Sequence, residues 1–162
     1  MNILYLHGLK SKLNTDKRRV LEQYGNVYAP AINYDYQHIQ PIEILKQYAN
    51  IELNVVIGSS MGALNAYIIS DNIGRPALLF NPPLSKYKKI EFEAKFLKGL
   101  CSKQFLLGGI DDVVNPAETL NFLGQHLNKA ELHIKIDPSL GHRIPISIFE
   151  EQVKLFFSTI CY

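Results

Sequence analysis

The chain has 162 residues, of which 47% are hydrophobic and 20% charged, and its 17 basic side chains face 15 acidic ones. That length suits one domain over 1–162 with a core that needs no staples. The composition excludes a disordered tail, a collagen-like rod and a coiled coil, and the near-balanced charge excludes nucleic acid as the default partner. Two cysteines, Cys101 and Cys161, are too few for a disulfide framework; both read as small packed side chains in a reducing compartment. The opening Met-Asn-Ile-Leu-Tyr-Leu-His-Gly lacks the basic start and long apolar stretch of a signal peptide. No run approaches the ~18 apolar residues of a membrane helix. The expectation is a cytoplasmic protein without a membrane partner.

In chain order, 3–6 reads as a buried strand. A helix follows over 15–24, capped by Asn14 or Thr15, with Val20, Leu21 and Tyr24 on one face. A short strand at 27–29 is stopped by Pro30, and Pro41 opens a helix carrying Ile42, Leu45, Tyr48 and Ala49. Strand 53–57 leads into helix 61–70, and strand 77–80 ends at Asn81-Pro82-Pro83. A weak helix at 92–97 precedes strand 104–107. Helix 117–127 follows Pro116, and strand 132–136 is stopped by Asp137-Pro138. The last helix, 146–160, buries Ile148, Phe149, Val153, Phe156 and Phe157. Apolar strands alternating with helices predict an α/β fold: a three-layer α/β/α sandwich on a mostly parallel sheet of about six strands, covered on both faces. Right-handed crossovers put every strand's C-terminal end on one edge, where such sheets bind ligands.

The strand-end residues carry the chemistry. Gly58-Ser59-Ser60-Met61-Gly62 is a Gly-x-Ser-x-Gly between a strand and a helix. Such a turn strains the serine backbone and lifts its Oγ above the sheet, and a Cβ at either glycine would collide with the turn. A serine needs a base to become nucleophilic at neutral pH. Of five histidines, His142 lies just beyond the last strand and is the preferred base. His7 precedes the serine and reads as an orienting group, and His38, His126 and His133 read as surface or satisfied side chains. The base needs a carboxylate. Asp111, in Asp111-Asp112-Val113-Val114, is preferred over Asp112, on the ground that the valines would anchor the loop beneath it. Asp137 reads as turn chemistry. The order Ser60, Asp111, His142 is that of α/β-hydrolases. Oxyanion donors are expected from the backbone N–H groups of Met61 and Leu9, with Gly8 permitting a tight turn between them.

Leu4-Tyr5-Leu6-His7-Gly8-Leu9, the Ser60 elbow, Asn81-Pro82, Asp111-x-Val113 and Gly141-His142 together resemble the small YqiA/YcfP-like α/β-hydrolases over nearly the whole chain. The resemblance implies a compact esterase without a large lid, acting on small acyl esters or thioesters through Ser60, Asp111 and His142. No cofactor or metal is expected, because neither zinc spacing nor a phosphate loop occurs. Lys86, Lys88, Lys89, Lys95 and Lys98 in 82–102, and Lys10, Lys12, Lys17, Arg18 and Arg19, read as solvated faces. Tyr34 and Tyr36 are candidates for a pocket wall or a surface loop. The competing readings are a catalytically silent binding module on the same fold and, more remotely, a phosphate-binding sandwich using the Gly58–Gly62 turn. Oligomeric state, acyl-chain length and the choice of ester or thioester stay open.

Overall fold

The computed structural model describes residues 1–90, 101–127 and 130–160. The elements run β1 (Asn2–Leu6), α1 (Thr15–Glu22), β2 (Asn26–Tyr28), α2 (Pro41–Lys46), β3 (Val55–Ser59), α3 (Met61–Ile73), β4 (Ala77–Phe80), a 3₁₀ turn (Leu84–Lys86), β5 (Lys103–Gly108), α4 (Pro116–Gln125), β6 (Leu132–Asp137) and α5 (Ile146–Thr159). The six strands form one sheet in the order β2-β1-β3-β4-β5-β6, and every neighbouring pair is parallel. The expected α/β sandwich is therefore present. The helix expected at 92–97 lies outside the described residues, as do Lys95, Lys98, Cys161 and much of the segment in which a lid would sit.

Alternation along the strands sorts side chains into two cores. Leu4, Leu6, Val56, Leu79, Phe105 and Leu107 face α2, α3 and α4. Ile3, Tyr5, Ile57, Leu78, Phe80 and Leu106 face α1 and α5. α3 is buried along nearly its whole length, which its apolar sequence all round requires. It runs three residues beyond the expected end and stops at Gly74, whose φ of 64° makes the left-handed C-cap.

Several boundaries and roles differ from expectation. β3 starts two residues later and reaches Ser59, because its hydrogen-bonded pairing runs up to Ser59 opposite Phe80. α1 ends at Glu22 rather than Tyr24. β6 is not covered on both faces: it is an outer strand with most of its residues exposed. Asn14, not Thr15, caps α1, accepting from the Lys17 N–H at 2.9 Å. Cys101 is a half-buried free thiol donating to the Gly74 carbonyl at 2.8 Å, a polar role rather than apolar packing. Among the described residues, no helix is long and apolar enough to cross a membrane.

Candidate active site

The parallel register sets Leu6 beside Gly58, Ser59 beside Phe80 and Gly108 beside Asp137, so the candidate residues converge on one sheet edge. Ser60 follows β3 and precedes α3 with φ 54° and ψ −124°, a conformation rarely held by a residue with a side chain. The flanking glycines permit it. A Cβ on Gly58 would lie 2.5 Å from the Gly62 carbonyl oxygen, and one on Gly62 would run into the carbonyl oxygens of Leu6 and His7. Helix α3 thus rests directly on the end of β1, a contact only glycine allows.

His142 Nδ1–H donates to Asp111 Oδ2 at 2.8 Å, and Ser60 Oγ–H donates to His142 Nε2 at 3.0 Å. These protonation states follow from an ionised carboxylate, which can only accept. The Asp111 side chain is 0% exposed and that of His142 22% exposed, so the carboxylate is sealed off and the imidazole meets the solvent side. Asp111 rather than Asp112 reaches the histidine; Asp112 is exposed on the cleft wall. Of the two valines expected to anchor the loop, Val113 is 68% exposed and Val114 half-buried. Asp111 shapes its own loop instead: its Oδ1 accepts the N–H groups of Val113 (2.8 Å) and Val114 (2.9 Å), leaving Oδ2 aimed at the imidazole.

Around this line sit the supporting groups. His7 Nε2 accepts the Ile32 N–H at 3.0 Å, so Nδ1 carries the proton and donates to the Gly8 carbonyl at 2.7 Å. It orients its loop, as expected. Tyr34 is buried and donates to the His7 carbonyl at 2.6 Å, while Tyr36 is 97% exposed, and neither lines the cleft at Ser60. Gly8 does not adopt a left-handed turn. What demands glycine there is closeness, since a Cβ would lie 3.1 Å from the Ser60 Cβ. The left-handed residue of that loop is Lys10, at φ 49°. No protein acceptor among the described residues takes the N–H of Leu9 or of Met61.

Sequence reasoning gave Asn81 no role in the site, taking it as the end of β4 and as part of the family resemblance. Asn81 is 2% exposed at φ 47°. Its Oδ1 accepts the Gly108 N–H at 2.7 Å, and its Nδ2 donates to the carbonyls of Gly141 (3.2 Å) and His142 (3.0 Å). One amide therefore fastens the end of β5 to the loop bearing the base. The available signal was an asparagine at a strand end beside the site, since asparagine tolerates positive φ. Lys10 and Lys12 are exposed, in keeping with a solvated face, while Lys17 is half-buried; all three border the Ser60 cleft, a space of about 950 Å³.

Solved structures share this architecture. A protein of the α/β-hydrolase superfamily from Xanthomonas campestris pv. campestris superposes with a TM-score of 0.70 at 17% identity, covering 98% of this chain and 99% of that one. Esterase Pf2001 from Pyrococcus furiosus gives 0.68 at 15% identity, over 97% and 82% of the two chains. The carboxylesterase of Bacillus cereus gives 0.66 at 15%, over 98% and 88%. No curated protein sequence matches the chain. Residues 2–95, which carry the Tyr-Leu-His-Gly start, the Ser60 elbow and Asn81-Pro82, match the model of the uncharacterised protein family UPF0227, and the chain belongs to that family, the one its motifs resemble.

Proposed function

We propose that the protein is a serine hydrolase that cleaves small acyl esters or thioesters through an acyl-enzyme, with Ser60 as nucleophile, His142 as base and Asp111 as its carboxylate. The observation that carries this reading is the hydrogen-bonded line from Ser60 Oγ through His142 to a buried Asp111, starting from a strained backbone at Ser60. The esterases among the structural neighbours are in keeping with it. Ser60 Oγ attacks the acyl carbonyl carbon while its proton passes to His142 Nε2. Asp111 steadies the imidazolium. The N–H groups of Leu9 and Met61 receive the developing oxyanion. The C–O or C–S bond then breaks, and Nε2 returns the proton to the departing alkoxide or thiolate. Water repeats the sequence on the acyl-Ser60 ester and releases the acid. Residues 1–162 act here as one domain without a cofactor.

The test is intact mass after incubation with a fluorophosphonate, on wild type and Ser60→Ala. One stoichiometric adduct on the wild type, absent from the variant, is expected. A folded wild type that takes no adduct sinks the reading and favours a silent binding module.

A further inference from the structure

The charge on the walls of the Ser60 cleft is predominantly positive. Lys10 and Lys12 lie between β1 and α1, Lys17 lies in α1, and Arg143 follows the base; all four line the cleft. Among the described residues, Asp112 is the one carboxylate that lines it with an exposed side chain. The basic residues just beyond the cleft are neutralised: Arg18 pairs with Glu22 at 3.5 Å and Arg19 with Asp16 at 3.9 Å. None of the four cleft cations has a carboxylate within ion-pair distance among the described residues.

Lys17 is the most informative of them. It is half-buried, and its Nζ stands 5.0 Å over the ring of Phe149. That ring stacks on Phe80 at 5.1 Å and meets Tyr5 edge-on at 6.3 Å, and both Phe80 and Tyr5 line the cleft. Burial lowers the Lys17 pKa, as it must for an ammonium withdrawn from water without a counter-ion. The ring face offsets part of that cost but does not neutralise the charge. Lys10 is held in the left-handed region, which limits where its side chain can go. The cleft is thus an aromatic floor ringed by unpaired cations, one of them partly desolvated. A low-dielectric wall of this kind concentrates the field on whatever binds beside Ser60.

We propose that the cleft selects esters or thioesters bearing a carboxylate or phosphate a few atoms from the reacting carbonyl, with that anion held among Lys10, Lys12, Lys17 and Arg143. The inference rests on the Ser60 reading and names its substrate class. The anion belongs to the acyl chain or to the leaving group, and paired probes separate the two. p-Nitrophenyl hemiglutarate and p-nitrophenyl valerate differ in a charge on the acyl side. 4-Carboxyphenyl and 4-carbamoylphenyl butyrate differ in a charge on the leaving group.

In at least one pair, kcat/KM for the anionic member should exceed its neutral twin by about tenfold at low salt, the lower end of what a charge-assisted hydrogen bond supplies. The ratio should fall at about 0.5 M salt, with the share held by half-buried Lys17 screened least. Lys17→Gln and Arg143→Gln should each cut it by about threefold or more, a fraction of one such bond. Arg19→Gln, outside the cleft, should keep it. Because each ratio compares two substrates on one sample, a partly misfolded variant does not distort it, and Arg143 is exposed and tolerant of change. Anionic-to-neutral ratios of one or less in both pairs, hydrolysis of none of the four esters, or ratios untouched by either variant would overturn the proposal while Ser60 still takes the fluorophosphonate. Failure of that labelling removes the serine hydrolase reading itself, and this inference with it.

Discussion

Ser60 and Asn81 end neighbouring strands, and both sit at positive φ without being glycine, at 54° and 47°. Their side chains go opposite ways. Ser60 points a hydroxyl at the base on the cleft side, while Asn81 turns its amide inward and spends every polar atom on backbone groups of β5 and the His142 loop. A positive φ, borne more easily by asparagine than by serine, thus serves chemistry in one case and alignment in the other. The strain alone does not say which; the partners of the side chain do.

Glycine separates the two roles, because it relieves the backbone and deletes the side chain together. Ser60→Gly is expected to abolish esterase turnover, a loss on the order of 10⁶-fold in kcat for a missing nucleophile. Its melting temperature should hold or rise, since relief of roughly 1–3 kcal/mol of strain outweighs the added chain entropy of glycine. A marked fall in melting temperature would show that Ser60 is not strained. Asp111→Asn tests the same line from its other end. It keeps the shape but offers the wrong partner to Nδ1, and turnover measured at neutral pH should drop about 10⁴-fold. A loss of only a few-fold would move the carboxylate role to Asp112.

Asn81→Gly should behave unlike Ser60→Gly. It leaves the buried Gly108 N–H unpaired and frees the His142 loop, so urea unfolding should register a loss of about 2 kcal/mol despite the relieved strain. Turnover should fall by about 10²-fold through misplaced geometry, with Ser60 still open to slow labelling. A stabilised Asn81→Gly would erase the contrast between the two residues. Asn14→Ala, on the cleft wall but bonded to neither residue, has the smallest effect: loss of one helix cap at α1 should cost about 1 kcal/mol in urea unfolding.

The residues that met across the sheet were legible because each sits next to a strand, and parallel strands bring their ends to one edge. Ser60, Asp111 and His142 needed only that rule. The preference for Asp111 over Asp112 matches the carboxylate that bonds His142, but the exposed Val113 is not its cause. Which of two adjacent carboxylates turns inward depends on the Asx turn that Asp111 closes on Val113 and Val114, a local hydrogen-bond choice without periodicity. Asn81 was illegible as a clamp because its partners stand 27, 60 and 61 residues away along the chain. Lys17 was illegible for another reason. Helical spacing placed it off the apolar face of α1, but α1 borders the cleft, so that off-core side is a wall of the site rather than open solvent. The exposure of β6 was legible but passed over, because Leu-His-Ile-Lys-Ile-Asp alternates apolar with polar whereas strands covered on both faces read as continuous apolar runs.

β6 has a bearing on how the proposed activity would fail. It pairs with β5 alone among the described residues, while β3, which delivers Ser60, lies between β1 and β4 and is almost wholly buried. Ser60 and His142 are therefore mounted on parts of the sheet with unequal local stability. A sub-global opening that peels β6 away would carry off the His142 loop with the inner strands intact. Heat should then silence the protein below its unfolding temperature, and the amides of 132–137 should exchange with deuterium well before those of 55–59.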